Sequence, residues 1–156
     1  IGYDNSQIHY LNIKPCFIAE EFIEQSDIYK KVSPNSLVDF KFFCFNGHVE
    51  SCFVVYDRNV HFGKIDLKDN NWNSLSNNIA NYGFLNYDKN IEIPRPLCLD
   101  EMIEIASKLS EEFPHVRVDM YVSIDNRPII GELTFSTGYG YFSHDYYKYL
   151  GSKVKL

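Results

Sequence analysis

Val116-Arg117-Val118-Asp119-Met120-Tyr121-Val122-Ser123-Ile124, then Asp125-Asn126, then Pro128-Ile129-Ile130-Gly131-Glu132-Leu133-Thr134-Phe135 decide the fold. Two β-rich runs on either side of an Asp-Asn turn read as an antiparallel hairpin. Side chains alternate along a strand, so Arg117, Asp119 and Tyr121 share one face and Val118, Met120 and Val122 the other. A two-residue turn at Asp125-Asn126 sets Asp119 directly opposite Glu132, and Arg117 opposite Thr134. A four-residue turn shifts the partners by two and keeps every one of them on its face.

Two opposed carboxylates near the middle of a strand pair repel each other. A raised pKa, a neighbouring Arg or Lys, or a bound cation would compensate them. Two carboxylates with a hydroxyl two residues on suit Mg²⁺ rather than zinc. The plainer alternative is a solvated face on which Arg117 partners the acids.

Moving outward, Val38 to Phe45 and Val49 to Tyr56 flank Asn46-Gly47, the strongest short hairpin signal there is. On the first of these strands Asp39 and Lys41 share a face with Phe43 and Phe45, either as an ion-paired edge or as an acid and a base presented to one ligand. Asp57-Arg58 adds a second cation after the hairpin. A helix is expected from an Asp100 N-cap to about Glu112, with Met102, Ile105, Ala106, Leu109 and Phe113 as its buried stripe, and Pro114 ends it. Cys16 to Ile23 reads as a strand, residues 24–36 as a loop, and 57–96 as a long loop excursion without sustained apolar period. The fold class is α+β, with antiparallel strands in hairpins and one amphipathic helix packed on them.

Composition bounds the rest. With 156 residues, 45% hydrophobic and 23% charged, the chain suits one globular domain with a real core. A net charge of -6 argues against a protein that grips phosphate backbones, so no nucleic-acid partner is expected. No apolar run reaches the roughly 18–20 residues of a membrane span, and no leader pattern is visible. Cys16, Cys44, Cys52 and Cys98 lack a CxxC pair, and the first three read as small buried hydrophobes in a reducing cytoplasm. Twelve Phe and twelve Tyr read as core and rim. Of the histidines, His9, His48, His115 and His144 read as structural or solvated, while His61, with Lys64 beside it, lies near a candidate site residue. The first residue is Ile, so a piece of a longer chain is expected.

An ordered set of segments resembles the TupA-like ATP-grasp proteins of bacterial cell-surface polysaccharide and teichuronopeptide biosynthesis, often labelled glycosyltransferases. The set is Lys14-Pro15 to Glu20-Glu21-Phe22-Ile23, Asp39-Phe40-Lys41 to Asn46-Gly47, Asp57-Arg58, Trp72, Arg117-Val118-Asp119-Met120-Tyr121, Gly131-Glu132-Leu133-Thr134-Phe135 and the ending Leu150 to Leu156. The resemblance covers almost the whole chain and implies an ATP-grasp-like fold with ATP and Mg²⁺ as cofactors. It implies Asp119, Glu132 and Thr134 as metal ligands, with Thr134 standing where many ligases carry Asn. Glu20, Glu21, Phe22 and Ile23 are implied as the adenine segment, Asp39 and Lys41 as ribose and phosphate contacts, and Lys41, Arg58 and Arg117 as the cations of the reaction.

The implied chemistry joins a carboxylate to an amine through an acyl phosphate. A glycine-rich phosphate loop is absent from these residues, so the chain is expected to be the C-terminal part of a catalytic unit whose N-terminal half is missing, and inactive alone. A non-catalytic glycan-binding module is the alternative, resting on Tyr139, Tyr141, Tyr146, Tyr147, Tyr149 and Trp72. A glycosyltransferase with Asp119 and Glu132 around a nucleotide-sugar metal is a further one.

Overall fold

The computed structural model describes residues 12–80 and 85–155. His9, Leu156 and the N-terminal residues up to 11 lie outside that range. The described chain is α+β, with a six-stranded sheet in the order β4-β3-β2-β1-β5-β6. The strands are β1 (Asp39–Phe45), β2 (His48–Tyr56), β3 (Gly63–Lys68), β4 (Leu85–Tyr87), β5 (Val116–Val122) and β6 (Pro128–Thr134). Every pairing is antiparallel except β3 with β4. Three α-helices accompany them: α1 (Asp27–Val32), α2 (Leu99–Ser110) and α3 (His144–Gly151).

The expected Asn46-Gly47 turn is present, with both residues at positive φ, +49° and +82°. That handedness matches the strand twist, which is why Asn-Gly closes so tight a hairpin. One sheet face carries Phe40, Phe42, Cys44, Cys52, Val54, Val118 and Met120 against α2, where Leu99, Met102 and Ala106 are buried. The opposite face carries Phe43, Phe45, Phe53, Val55, Ile65 and Leu67 against Phe142 and against Tyr146 and Leu150 of α3. That second face is covered for only part of its area.

Five expectations are corrected. Residues 16–23 form no strand: Phe17, Ile18 and Phe22 are largely exposed, and so is Cys16. Apolar composition does not make a strand where no neighbouring strand takes up its backbone groups. Residues 24–36 are not one loop, because α1 forms there around a single buried anchor, Tyr29. The stretch 57–96 holds β3 and β4. Its Asp66 and Lys68 bury as an ion pair of 3.0 Å on the α2 side of the sheet. Helix α2 starts one residue before Asp100, with Cys98 at its N-cap, and Asp100 pairs instead with Arg95 at 2.7 Å. One helix was expected, but His144–Gly151 folds as a further one, α3, capped by the Ser143 side chain accepting from the Tyr146 backbone.

Candidate functional site

The β5–β6 ladder sets Asp119 opposite Glu132 and Arg117 opposite Thr134, as the parity predicts. The route to that register differs. The turn is one residue longer than expected, closed by a hydrogen bond from the Ser123 amide to the Arg127 carbonyl, with Asn126 at φ +58°. A bulge then makes up the difference: Met120 pairs with Ile130, Asp119 with Glu132, and Gly131 is the extra residue. The Tyr121 ring lies over Gly131, where a Cβ would meet its Cε2 at 2.8 Å.

β1 adds its own acid and base from the other side of β5, because Lys41 pairs with Asp119. Lys41 Nζ sits 2.6 Å from Asp39 Oδ2 and 2.6 Å from Asp119 Oδ2. Arg117 grips the same Asp119 with both arms, Nε to Oδ1 at 2.6 Å and Nη2 to Oδ2 at 2.7 Å. It also donates to Thr134 Oγ1 at 3.0 Å, and Thr134 in turn donates to Glu132 Oε1 at 2.5 Å. Asp119, the only acid of the cluster touched by both cations, is 2% exposed. Of the three compensations open to the opposed acids, the described residues use neighbouring cations.

Burial pushes the Asp39 carboxyl above the usual carboxylate range, although Lys41 pulls the other way. Burial works against the Arg117 charge, yet its bonds to Asp119 outweigh that and raise its pKa. Burial, followed by the charges of Asp39 and Asp119, raises the Tyr121 phenol. Asp39 Oδ1 is buried without a hydrogen-bond partner among the described residues. An orphaned carboxylate oxygen of this kind costs about 1–3 kcal/mol or more unless something completes it.

These groups line a cleft of about 960 Å³. Glu20, Glu21 and Phe22, exposed, and Ile23, half-buried, line it as irregular chain rather than as a strand, and Arg58 lines it too. Two loops hold these edges in place. Gln25, buried, donates to the Ser33 and Ser36 carbonyls and accepts from the Val38 amide, fixing the end of the 20–24 segment to the start of β1. The Ser33 and Ser36 hydroxyls accept from the Asp57 and Arg58 amides, which sets the Arg58 backbone at the cleft rim. Among the described residues no acid partners Arg58.

Every predicted site residue except Thr134 lines the cleft, and Thr134 stands just behind Arg117 and Glu132. Tyr121 lines it as well and was not singled out. Its signal was present, since it has the same strand parity as Asp119. His61 is exposed, and Lys64 pairs loosely with Asp57 and Asp88 at 3.8 and 3.5 Å, away from the cleft. The aromatic residues behind the glycan-binding alternative are mostly committed to packing. Trp72 donates to the Ile93 carbonyl, Tyr146 to Ser51, Tyr149 to Glu50, and Tyr147 accepts from the Tyr141 amide.

No cluster of three or more His, Cys, Asp or Glu able to hold a metal ion occurs among the described residues. The donor chemistry of the cluster nevertheless fits a hard cation such as magnesium. Asp119 accepts three charge-assisted bonds, and a carboxylate has about four acceptor sites, so one remains. Glu132 keeps Oε2 free and is more than half exposed. Such an all-oxygen set suits magnesium and not a softer metal.

No helix among the described residues is long and apolar enough to cross a membrane. No curated protein and no solved structure matches the chain. A family model does, that of TupA-like ATPgrasp, over residues 3–155. That span takes in both hairpins, the helix beneath them and the whole rim of the cleft, and so the chain belongs to the TupA-like ATPgrasp family.

Proposed function

We propose that the cleft binds ATP with magnesium and joins a carboxylate to an amine in the assembly of a bacterial cell-surface polysaccharide. The observation that carries this reading is the direct opposition of Asp119 and Glu132 on the cleft floor, with Lys41, Arg117 and Arg58 around them. Asp119 and Glu132 would hold the metal, with the Thr134 hydroxyl orienting Glu132 from behind rather than serving as the third ligand that the resemblance implies, and the metal would supply charge neutralisation of the polyphosphate when bound.

The chain's own residues do the rest. The 20–23 segment borders the base, with Phe22 and Ile23 against it, and Asp39 takes a ribose hydroxyl on its free oxygen. Lys41, Arg58 and Arg117 stabilise the charge that develops as the substrate carboxylate attacks the γ-phosphorus and ADP departs. The amine then attacks the acyl carbon, the amide bond forms, phosphate leaves, and the amine proton passes to solvent or to a cleft carboxylate. Catalysis of this kind is mostly positioning and electrostatics, which is what a ring of fixed cations and acids provides.

The test uses the full-length protein. Glu132→Gln should abolish magnesium-dependent ADP formation while leaving the melting temperature nearly unchanged, because Glu132 is 57% exposed at its side chain and glutamine keeps an oxygen to accept from Thr134. Turnover that survives the substitution sinks the assignment.

A further inference from the structure

Asp119 is the most buried acid of the cleft and the one with the least acceptor capacity left. Lys41 and Arg117 occupy three of its sites at 2.6 to 2.7 Å, which is the length of strong charge-assisted bonds. A free divalent cation approaching Asp119 therefore meets two fixed positive charges before it meets the carboxylate. Asp39, Lys41, Asp119 and Arg117 are also balanced among themselves, two acids against two bases, and only the exposed Glu132 adds net negative charge. Lys41 has somewhere else to go. Its second partner, Asp39 Oδ2, holds it at 2.6 Å, and Asp39 keeps an oxygen with no partner at all among the described residues.

We propose that Lys41 is a built-in counter-ion that closes the Asp119–Glu132 pair to free divalent cations, so that the site accepts a cation only together with an anionic ligand that draws Lys41 away from Asp119. The ligand class is a cation–polyphosphate complex, and a bare metal ion is excluded. Asp39 is the positioning residue: it keeps the ammonium at the cleft while Lys41 exchanges Asp119 for the incoming anion. Coulomb repulsion at these separations, even at the moderate effective dielectric of a partly open cleft, is large enough to decide whether a free cation binds. The exclusion of bare cations stands on the geometry of Lys41 alone; only its polyphosphate half rests on the proposed function.

The experiment measures Mn²⁺ binding to the full-length protein by electron paramagnetic resonance, without nucleotide. Wild type should show no specific Mn²⁺ binding, whereas Lys41→Met should bind one Mn²⁺ at least about tenfold more tightly, roughly 1.4 kcal/mol. Glu132→Gln in the Lys41→Met background should remove the gained site. Removing Lys41 leaves Asp39 and Asp119 facing each other, so the double variant Asp39→Asn/Lys41→Met, which restores the charge balance, is measured beside it and should gain the site too. Thermal melts establish that each protein is folded.

Wild type that binds Mn²⁺ as tightly as the variants overturns the proposal. So does a folded variant that gains no site. A second titration adds Mn²⁺ with a non-hydrolysable ATP analogue. Binding there by wild type, absent with Mn²⁺ alone, supports the coupled entry. Failure there, beside a gained site in Lys41→Met, leaves the counter-ion role standing and overturns the nucleotide reading instead.

Discussion

One sheet face serves two purposes, and β1 crosses from one to the other. At its far end Phe43 and Phe45 lie with Phe53, Ile65 and Leu67 under Phe142 and α3, buried and dry. At its near end, on the same face, Asp39 and Lys41 meet Arg117 and Asp119 under an open cleft. The backbone is strand in both halves, and the far one carries a register shift against β2 between Phe43 and Cys44. What differs is the cover: a helix over the apolar half and solvent-filled volume over the charged half. Stability and chemistry are thereby separated along a single strand, with packing energy on one side and costly, ion-paired groups on the other.

The largest expected effect tests the covered half. Phe142 touches Phe43, Phe53 and Tyr146 edge-on, at 5.1 to 5.7 Å between ring centres. Phe142→Ala should cost about 3–5 kcal/mol in urea denaturation, because it opens a cavity beneath α3. A loss below about 1 kcal/mol would mean that the two halves do not differ energetically in this way. A smaller effect is expected at the seam of the cleft. Gly131→Ala places a Cβ 2.8 Å from the Tyr121 ring, which must shift, and should cost about 1–2 kcal/mol. The same denaturation measurement checks it, and an unchanged midpoint would show that Tyr121 moves freely.

The smallest effect concerns His115, which stacks on Phe45 at 4.5 Å in the covered half. Its Nδ1–H donates to the Cys44 carbonyl at 3.0 Å, so in the neutral ring Nε2 accepts from the Thr137 hydroxyl at 3.2 Å. Burial lowers its pKa below the ordinary 6.5. The unfolded chain therefore takes up the proton first as the pH falls. The stability owed to this shift is complete above 6.5 and is lost as the pH drops from there through the lowered folded value. His115→Asn should remove that slope from melts taken between about pH 7 and 5. A slope identical to that of the wild type would assign it to other groups.

The hairpins and α2 were legible because their apolar positions repeat at a fixed period. The acid pair was legible for the same reason, since parity survives an error in turn length while exact partners need not. The remaining elements depended on context that no local pattern carries. Strand β3 reads Gly-Lys-Ile-Asp-Leu-Lys, and its polar positions look solvated until Asp66 and Lys68 are found paired with each other inside. Helix α1 is six residues long and anchored by Tyr29 alone, too short for an apolar stripe. The 16–23 segment failed in the opposite direction, apolar enough for a strand but with its side chains left outside. Which group compensates Asp119 could not be read either, because Lys41 stands 78 residues away and reaches it only through the β1–β5 pairing.

The Gly131 bulge has a consequence for how such a chain tolerates change. The turn after β5 is one residue longer than the tight form, and the bulge returns that residue before Glu132 is reached. A shorter turn with no bulge would bring Glu132 to the same place opposite Asp119. Length variation in the turn is thus absorbed within the hairpin, as a slip joint absorbs thermal expansion in a pipe. The turn can be redrawn over the same number of residues while the two carboxylates keep their appointment.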